Sequence, residues 1–162
     1  MLHAVRGYRR PCVTFPAVAI TVVEATEVTA GLVEAVGRLL PNLSRSSPAP
    51  TEAEVREMVE APGTVLFVAM DDAGSIVGTL TLVLFRIPTG LRAWIEDVVA
   101  DPAASGLGVG RALTQAALGE ARRRGARNVD LTSRPSREAA NHIYRSIGFE
   151  LRDTNCYRYT LE

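Results

Sequence analysis

Apolar positions recur along this chain in two rhythms. Between Thr26 and Leu40 they fall at helical spacing (Val28, Leu32, Val33, Val36, Leu39, Leu40), which predicts an amphipathic helix that Thr26 could cap and Pro41 stops. Thr51–Glu60 predicts a second helix, with Thr51 and Glu54 spaced as a capping box and Pro62-Gly63 at its end. Val109–Arg124 predicts a third, longer one, with Val109, Ala112, Leu113, Ala116, Ala117 and Ala121 along one face and Gly125 closing it. A fourth is expected over Arg137–Ile147. Runs of β-branched and apolar residues predict strands at Ala17–Glu24, Thr64–Met70, Ile76–Phe85, Arg92–Ala100 and Asn128–Thr132, with two more near Phe149 and at Cys156–Leu161. DDAGS joins two of them as a hairpin, and Ile87–Gly90 reads as a second turn. Residues 1 to about 15 are basic and read as a flexible extension before a single domain spanning 16–162. The resulting order, β-α-α-β-β-β-α-β-α-β-β, is that of an α/β (α+β) fold.

A chain of 162 residues suits one domain able to bury roughly 70% of its unfolded surface. Its 18 basic and 18 acidic residues cancel, so no global field favours nucleic acid or a membrane surface. Every basic residue is arginine; the absence of lysine removes Schiff-base chemistry. Cys12 and Cys156 form no CxxC, and with His3 and His142 they do not make a zinc site, so no metal is expected. Two free thiols fit a reducing, cytoplasmic setting. The apolar run from Phe15 to Val23 faintly mimics a signal peptide, but Pro16 and Thr21 interrupt it and it reads equally as the first strand, so export is rejected. No run approaches the ~18 apolar residues of a membrane span.

The most informative stretch is Trp94–Arg124: an apolar strand, a glycine-rich turn at Gly106, Gly108 and Gly110, and the long helix. The first N–H groups of a helix lack internal partners, and with the positive end of its dipole they suit a pyrophosphate. Glycines let a ligand come close to that backbone. A P-loop is excluded because Gly110 is followed by Arg111 and Ala112 rather than Lys-Ser/Thr. The dinucleotide pattern GxGxxG also fails, its third glycine falling on Arg111 or Leu113 according to where it starts.

This turn resembles the cofactor signature of the GNAT superfamily of N-acetyltransferases, Gln/Arg-x-x-Gly-x-Gly/Ala, with Gly108 and Gly110 at the glycine places and Ser105 at the Gln/Arg place. Arg111 could supply the charge that Ser105 lacks. Downstream, Arg137–Glu150 is similar to the family's Asn-x-x-Ala-x-x-x-Tyr-x-x-x-Gly-Phe, with Ala140, Tyr144, Gly148 and Phe149 in place and Arg137 where asparagine is usual. The resemblance is specific over Trp94–Phe149. It implies a mixed central sheet whose fourth and fifth strands splay apart, flanked by helices. It also implies acetyl-CoA as cofactor, its pyrophosphate on Ser105, Gly106, Leu107, Gly108, Val109, Gly110 and Arg111, and its pantetheine arm on the backbone of Val98, Val99 and Ala100.

Acetyl transfer to an amine needs a base for the ammonium, a donor for the carbonyl oxygen and a proton or donor for the leaving thiolate. Glu96 and Asp97 are two acids in an apolar strand; strict alternation points them to opposite faces and sets Trp94, Glu96 and Val98 on one. The resemblance implies that Glu96 is the general base, directly or through a water; without it, a surface or paired acid is the plainer reading. It likewise implies Tyr144 as the acid at the cofactor sulfur, against a core aromatic. Asn141, one turn before Tyr144, could hold the pantetheine or lie on the surface. Arg122, Arg123, Arg124 and Arg127 read as a solvated helix end, with a contact to the 3′-phosphate as the minority reading. The family's acceptor pocket corresponds to Leu40–Pro50, whose composition is generic. The expected partners are a small-molecule or peptide amine and, in an assembly, a second copy of the chain. The alternative is a module that senses acyl-CoA without turnover, to which the departures at Ser105 and Arg137 lend support.

Overall fold

The computed structural model describes residues 8–14, 20–44 and 46–161, the first group by backbone alone. Six strands form one sheet in chain order: β1 (Tyr8–Thr14), β2 (Thr21–Ala25), β3 (Thr64–Met70), β4 (Ile76–Ile87), β5 (Gly90–Ala100) and β6 (Val129–Leu131). All neighbours are antiparallel except β5 and β6, which run parallel. Four α-helices complete the fold: α1 (Ala30–Leu39), α2 (Glu52–Glu60), α3 (Val109–Arg123) and α4 (Glu138–Ile147). The mixed sheet between helices is the expected architecture. β1 lies inside the stretch read from sequence as an extension; residues 1–7 and the first part of the strand expected from Ala17 lie outside the described residues.

Two cores flank the sheet. On one face Ala112, Leu113, Ala116, Ala117 and Ala121 of α3 pack on Phe67, Leu80, Leu82, Ala93 and Ile95. On the other, Leu32, Ala35 and Leu39 of α1 and Val55 of α2 pack on Val23, Leu66, Val68 and Val99. The β3 and β4 side chains between these layers are buried almost without interruption, as sandwiched strands require.

Local chemistry sets most boundaries. Thr51 and Glu54 form the capping box: Thr51 Oγ1 accepts from the Glu54 amide at 3.3 Å and Glu54 Oε2 accepts from the Thr51 amide at 2.7 Å. Helix α1 begins later than Thr26 because Thr29 is its cap, accepting the Leu32 amide at 3.2 Å. Pro41 does not end the chain's turning; it sits in a short 3-10 turn, Leu40–Asn42, that continues α1 towards β5. The two strands expected near Phe149 and at Cys156–Leu161 are absent: residues 151–161 have no regular structure and are exposed.

Sheet and α3 come close together at Gly78. A Cβ there would lie 2.5 Å from Val109 Cγ1 and 2.9 Å from the Val99 carbonyl oxygen. The valine side chain can rotate away, whereas the carbonyl belongs to the sheet. Gly78→Ala is therefore expected to lower the urea midpoint by the equivalent of about 1–3 kcal/mol, the usual cost of overpacking a close contact. An unchanged midpoint would show that α3 can lift off β4 without penalty.

Candidate functional site

The site begins where β5 and β6 part. Their pairing covers only Ala93–Val129, Trp94–Asp130 and Ile95–Leu131. From Glu96 to Ala100, β5 continues with β4 on one side alone, so its other edge lines a gap. This is the splay expected between the fourth and fifth strands, here β5 and β6. Val98, Val99 and Ala100 lie along that edge.

A β-bulge interrupts β5 at this point. Thr81 pairs with Glu96, but Thr79 pairs with Val99, so Asp97 and Val98 together oppose Leu80. Asp97 has φ +52°, the sole positive φ among the described non-glycine residues. Aspartate tolerates this left-handed conformation better than most side chains. The bulge shifts the alternation by one. Ala93 and Ile95 point into the α3 core, yet beyond the bulge Val98 and Ala100 pack against that same core while Val99 enters the other. The expectation that Val98 shares a face with Trp94 and Glu96 is thus corrected. Trp94 and Glu96 do share one: the indole N–H donates to Glu96 Oε1 at 2.8 Å. Glu96 and Asp97 are both exposed.

The glycine turn follows at once. Asp101 caps a 3-10 turn over Pro102–Ala104, accepting the Ala103 amide at 2.9 Å. Arg38 of α1 forms an ion pair with Asp101 and also donates to the Ile76 carbonyl at 2.6 Å, tying the first helix to the approach of the turn. The Ala103 amide, against some desolvation, and then Arg38 hold the Asp101 carboxyl below its usual pKa. Gly106 and Gly108 have φ +83° and +75°, and Gly108 is the N-cap of α3. A Cβ at either glycine would meet nothing within 4 Å, so open space lies before this backbone. The first helical hydrogen bond is donated by Ala112 to Gly108, leaving Val109, Gly110 and Arg111 ahead of it with the unpaired N–H groups of a helix start. The Ser105 amide is used within the turn, on the Pro102 carbonyl at 3.1 Å, while its side chain is exposed. Open space, three successive free amides and the helix dipole together fit a pyrophosphate.

Helix α4 closes the other side. Ile143 approaches Gly110, where an added Cβ would lie 3.7 Å from its Cδ1. Arg111 donates to Ser146 Oγ at 2.6 Å, so this guanidinium braces α3 against α4. Gly148, at φ +109°, ends α4 and turns Phe149 back, its amide on the Tyr144 carbonyl at 3.0 Å and its ring edge-on to Tyr144 with centroids 5.8 Å apart. Burial raises the Tyr144 phenol pKa above its ordinary value, with the Arg137 charge pulling the other way. Asn141 Nδ2 donates to the Arg134 carbonyl at 2.9 Å, fastening the loop before α4.

The chain matches the model of the acetyltransferase (GNAT) family over residues 35–149, more than half of its length. It belongs to the GNAT acetyltransferase family. No curated protein sequence matches it significantly. Among solved structures it is similar to an acetyltransferase from Trypanosoma brucei, at 26% identity and TM-score 0.70 over 88% of this chain and 99% of that one. A transcriptional regulator from Bacillus halodurans is similar at 25% identity and TM-score 0.73, over 87% and 99%. An aminoglycoside acetyltransferase from an uncultured soil metagenomic sample, solved with sisomicin, shares the fold at 19% identity and TM-score 0.78, over 88% and 97%.

Several contributors to this GNAT site escaped sequence reading. Arg38 and Asp101 pair across 63 positions, which no local pattern encodes, although Asp-Pro is a helix-start signature that marks Asp101 as a cap. Gly78 within an apolar strand signalled a close approach. Arg122, Arg123, Arg124 and Arg127 are all exposed, and two of them bind an acid that is not. Glu120 is buried and accepts from Arg123 Nε at 2.8 Å and Arg124 Nε at 2.6 Å; against its own desolvation, these two hold its carboxyl below the usual pKa. Arg127 donates to the Thr89 carbonyl at 2.7 Å. Among the described residues no acidic, histidine or cysteine cluster could hold a metal, and no helix is long and apolar enough to cross a membrane.

Proposed function

We propose that this chain is an N-acetyltransferase that moves the acetyl group of acetyl-CoA directly to a primary amine within a ternary complex. One observation carries the reading: the open amide cradle at the start of α3 adjoins the gap between β5 and β6, and Glu96 is the first residue past the last β5–β6 pair. The helix that bears Tyr144 packs against the start of α3, on the other side of that cradle.

Acetyl-CoA supplies a thioester carbonyl as electrophile. The amides of Val109, Gly110 and Arg111 bind its pyrophosphate, and the free edge of Val98–Ala100 receives the pantetheine as an added strand would. Glu96, oriented by the Trp94 indole, takes the proton of the incoming ammonium. Tyr144, a phenol that is protonated at neutral pH and that burial shifts further in that direction, donates its O–H to the sulfur that leaves. The acceptor enters from the side of α1 and the turn after it, which reaches β5. The acceptor is a small-molecule or peptide amine, and the compartment is the cytoplasm.

Thiol release from acetyl-CoA across an amine panel tests this reading. Saturable turnover with at least one amine is expected. Tight CoA binding without transfer to any amine would replace it with an acyl-CoA sensor, the reading that the uncharged Ser105 at a cofactor position favours.

Direct transfer also requires no acyl-enzyme. Replacing Cys12 and the exposed Cys156 with alanine should leave kcat within about two-fold, and initial-rate plots against both substrates should intersect. Parallel plots together with a labelled thiol would overturn direct transfer.

A further inference from the structure

The sheet face on which α1 and α2 pack is covered only in part. Ala93 and Ile95 of β5 enter the α3 core, so Arg92, Trp94 and Glu96 stand on the opposite face. Directly across from them on β4 are Phe85, Val83 and Thr81. The apolar members of this group, Val83, Phe85 and Trp94, belong to neither core, and Phe85 is 40% exposed. A strip of sheet with an apolar middle thus runs uncovered from Glu96 to Arg92.

At the Arg92 end the strip meets a cavity of about 230 Å³ lined by Thr89, Arg92, Arg127 and Asn128. Its two guanidiniums are held in place. Gly90, at φ +132°, makes room for the stem of Arg127: an added Cβ would lie 2.8 Å from Arg127 Cδ. Arg127 Nη1 donates to the Thr89 carbonyl at 2.7 Å, and among the described residues no acid pairs with it. Arg92 Nη2 donates to Asp130 Oδ2 at 2.5 Å, while its buried Nε has no partner. Asp130 is shared further, with Arg152 Nη1 at 3.8 Å. Asp130 therefore already serves two guanidiniums, and the charge of Arg127 is left over. Planar guanidiniums with unfilled donors match the two oxygens of a carboxylate.

We propose that the Arg92–Arg127 cavity binds a carboxylate of the acceptor, which is thus an amino carboxylate with its two ends about 13 Å apart, the rise of the four strand residues from Arg92 to Glu96. This rests on Glu96 as the base of an amine acetyltransferase. A peptide of about four extended residues has that span. Its N-terminal amine meets Glu96, its body lies on Trp94 and Val83, and its C-terminal carboxylate meets Arg92 and Arg127.

Calorimetry of the full chain with CoA present, titrated with tetra-alanine, its C-terminal amide and di-alanine, tests this. Tetra-alanine should bind at least ten-fold more tightly than its amide, as hydrogen bonds between charged groups require, and than di-alanine, which is too short. Arg127→Gln, which can still donate to the Thr89 carbonyl, should remove the preference for the acid, and Arg127→Glu should reverse it, with circular dichroism unchanged. A plain packing role for Arg127 predicts no reversal. Equal affinity for acid and amide, equal affinity for the two lengths, or a preference that survives in both variants overturns the proposal. Thiol release from acetyl-CoA with tetra-alanine then assigns the site to the acceptor. Carboxylate-selective binding without acetylation, in a protein that acetylates other amines, overturns the assignment and leaves the acetyltransferase reading intact; no acetylation of any amine removes both.

Discussion

Gly108→Glu is expected to abolish detectable CoA binding while the protein stays folded. The new carboxylate stands at the N-terminus of α3, in the open space before the free amides, where it repels a pyrophosphate and competes for its donors. No neighbour lies within 4 Å of a Cβ at this position, so packing is undisturbed. The remaining cost is backbone strain, since φ is +75° and a side chain in the left-handed region costs roughly 1–2 kcal/mol. Gly108→Asn separates the two effects. Asparagine tolerates the conformation and brings no charge, so it should retain CoA binding within about ten-fold. Calorimetry and far-UV circular dichroism on both variants check this. Unchanged CoA affinity in Gly108→Glu would remove the phosphate-loop assignment altogether.

The parts of the fold that were legible in the sequence are those written in local chemistry. The Thr51/Glu54 capping box and the runs at Thr64 and Val109 carry their own start signals, and the elements begin there. The bulge at Asp97 was not legible. Period-two alternation cannot report a one-residue slip in a strand whose neighbours on both faces are apolar, and Asp97 differs from Glu96 only in tolerating a positive φ. Misreading it moved Val98 to the wrong face, although the backbone role of Val98–Ala100 is indifferent to the face. Cys156–Leu161 failed in the opposite way. Its alternation states that one side needs cover but not what supplies it, and within its own chain nothing does. Arg38 with Asp101 belongs to a third kind, a long-range pair whose partners are each unremarkable in sequence.

Glu96→Gln and Tyr144→Phe should each lower kcat by roughly 10²- to 10⁴-fold, about 3–5 kcal/mol of barrier, with CoA still bound. Each change keeps shape and removes one proton function. In Glu96→Gln the new amide oxygen can still accept the Trp94 indole N–H, so the side chain stays in place and only the base is lost. In Tyr144→Phe the ring keeps its edge-on contact with Phe149 and loses only the donor. The two variants then differ in what rescues them. The Glu96→Gln defect should shrink at high pH, where the acceptor amine arrives already deprotonated. The Tyr144→Phe defect should shrink with an acyl donor whose thiol is more acidic and leaves without help. Because burial raises the Tyr144 pKa, the wild-type phenol stays a donor up to and beyond the ordinary tyrosine value, so the enzyme should not lose this function on the alkaline side near neutrality. Near wild-type rates for Glu96→Gln at neutral pH would move the base to a water chain or to Asp97, which the bulge also leaves exposed. Loss of CoA binding in Tyr144→Phe would make Tyr144 a packing residue of α4 rather than the acid.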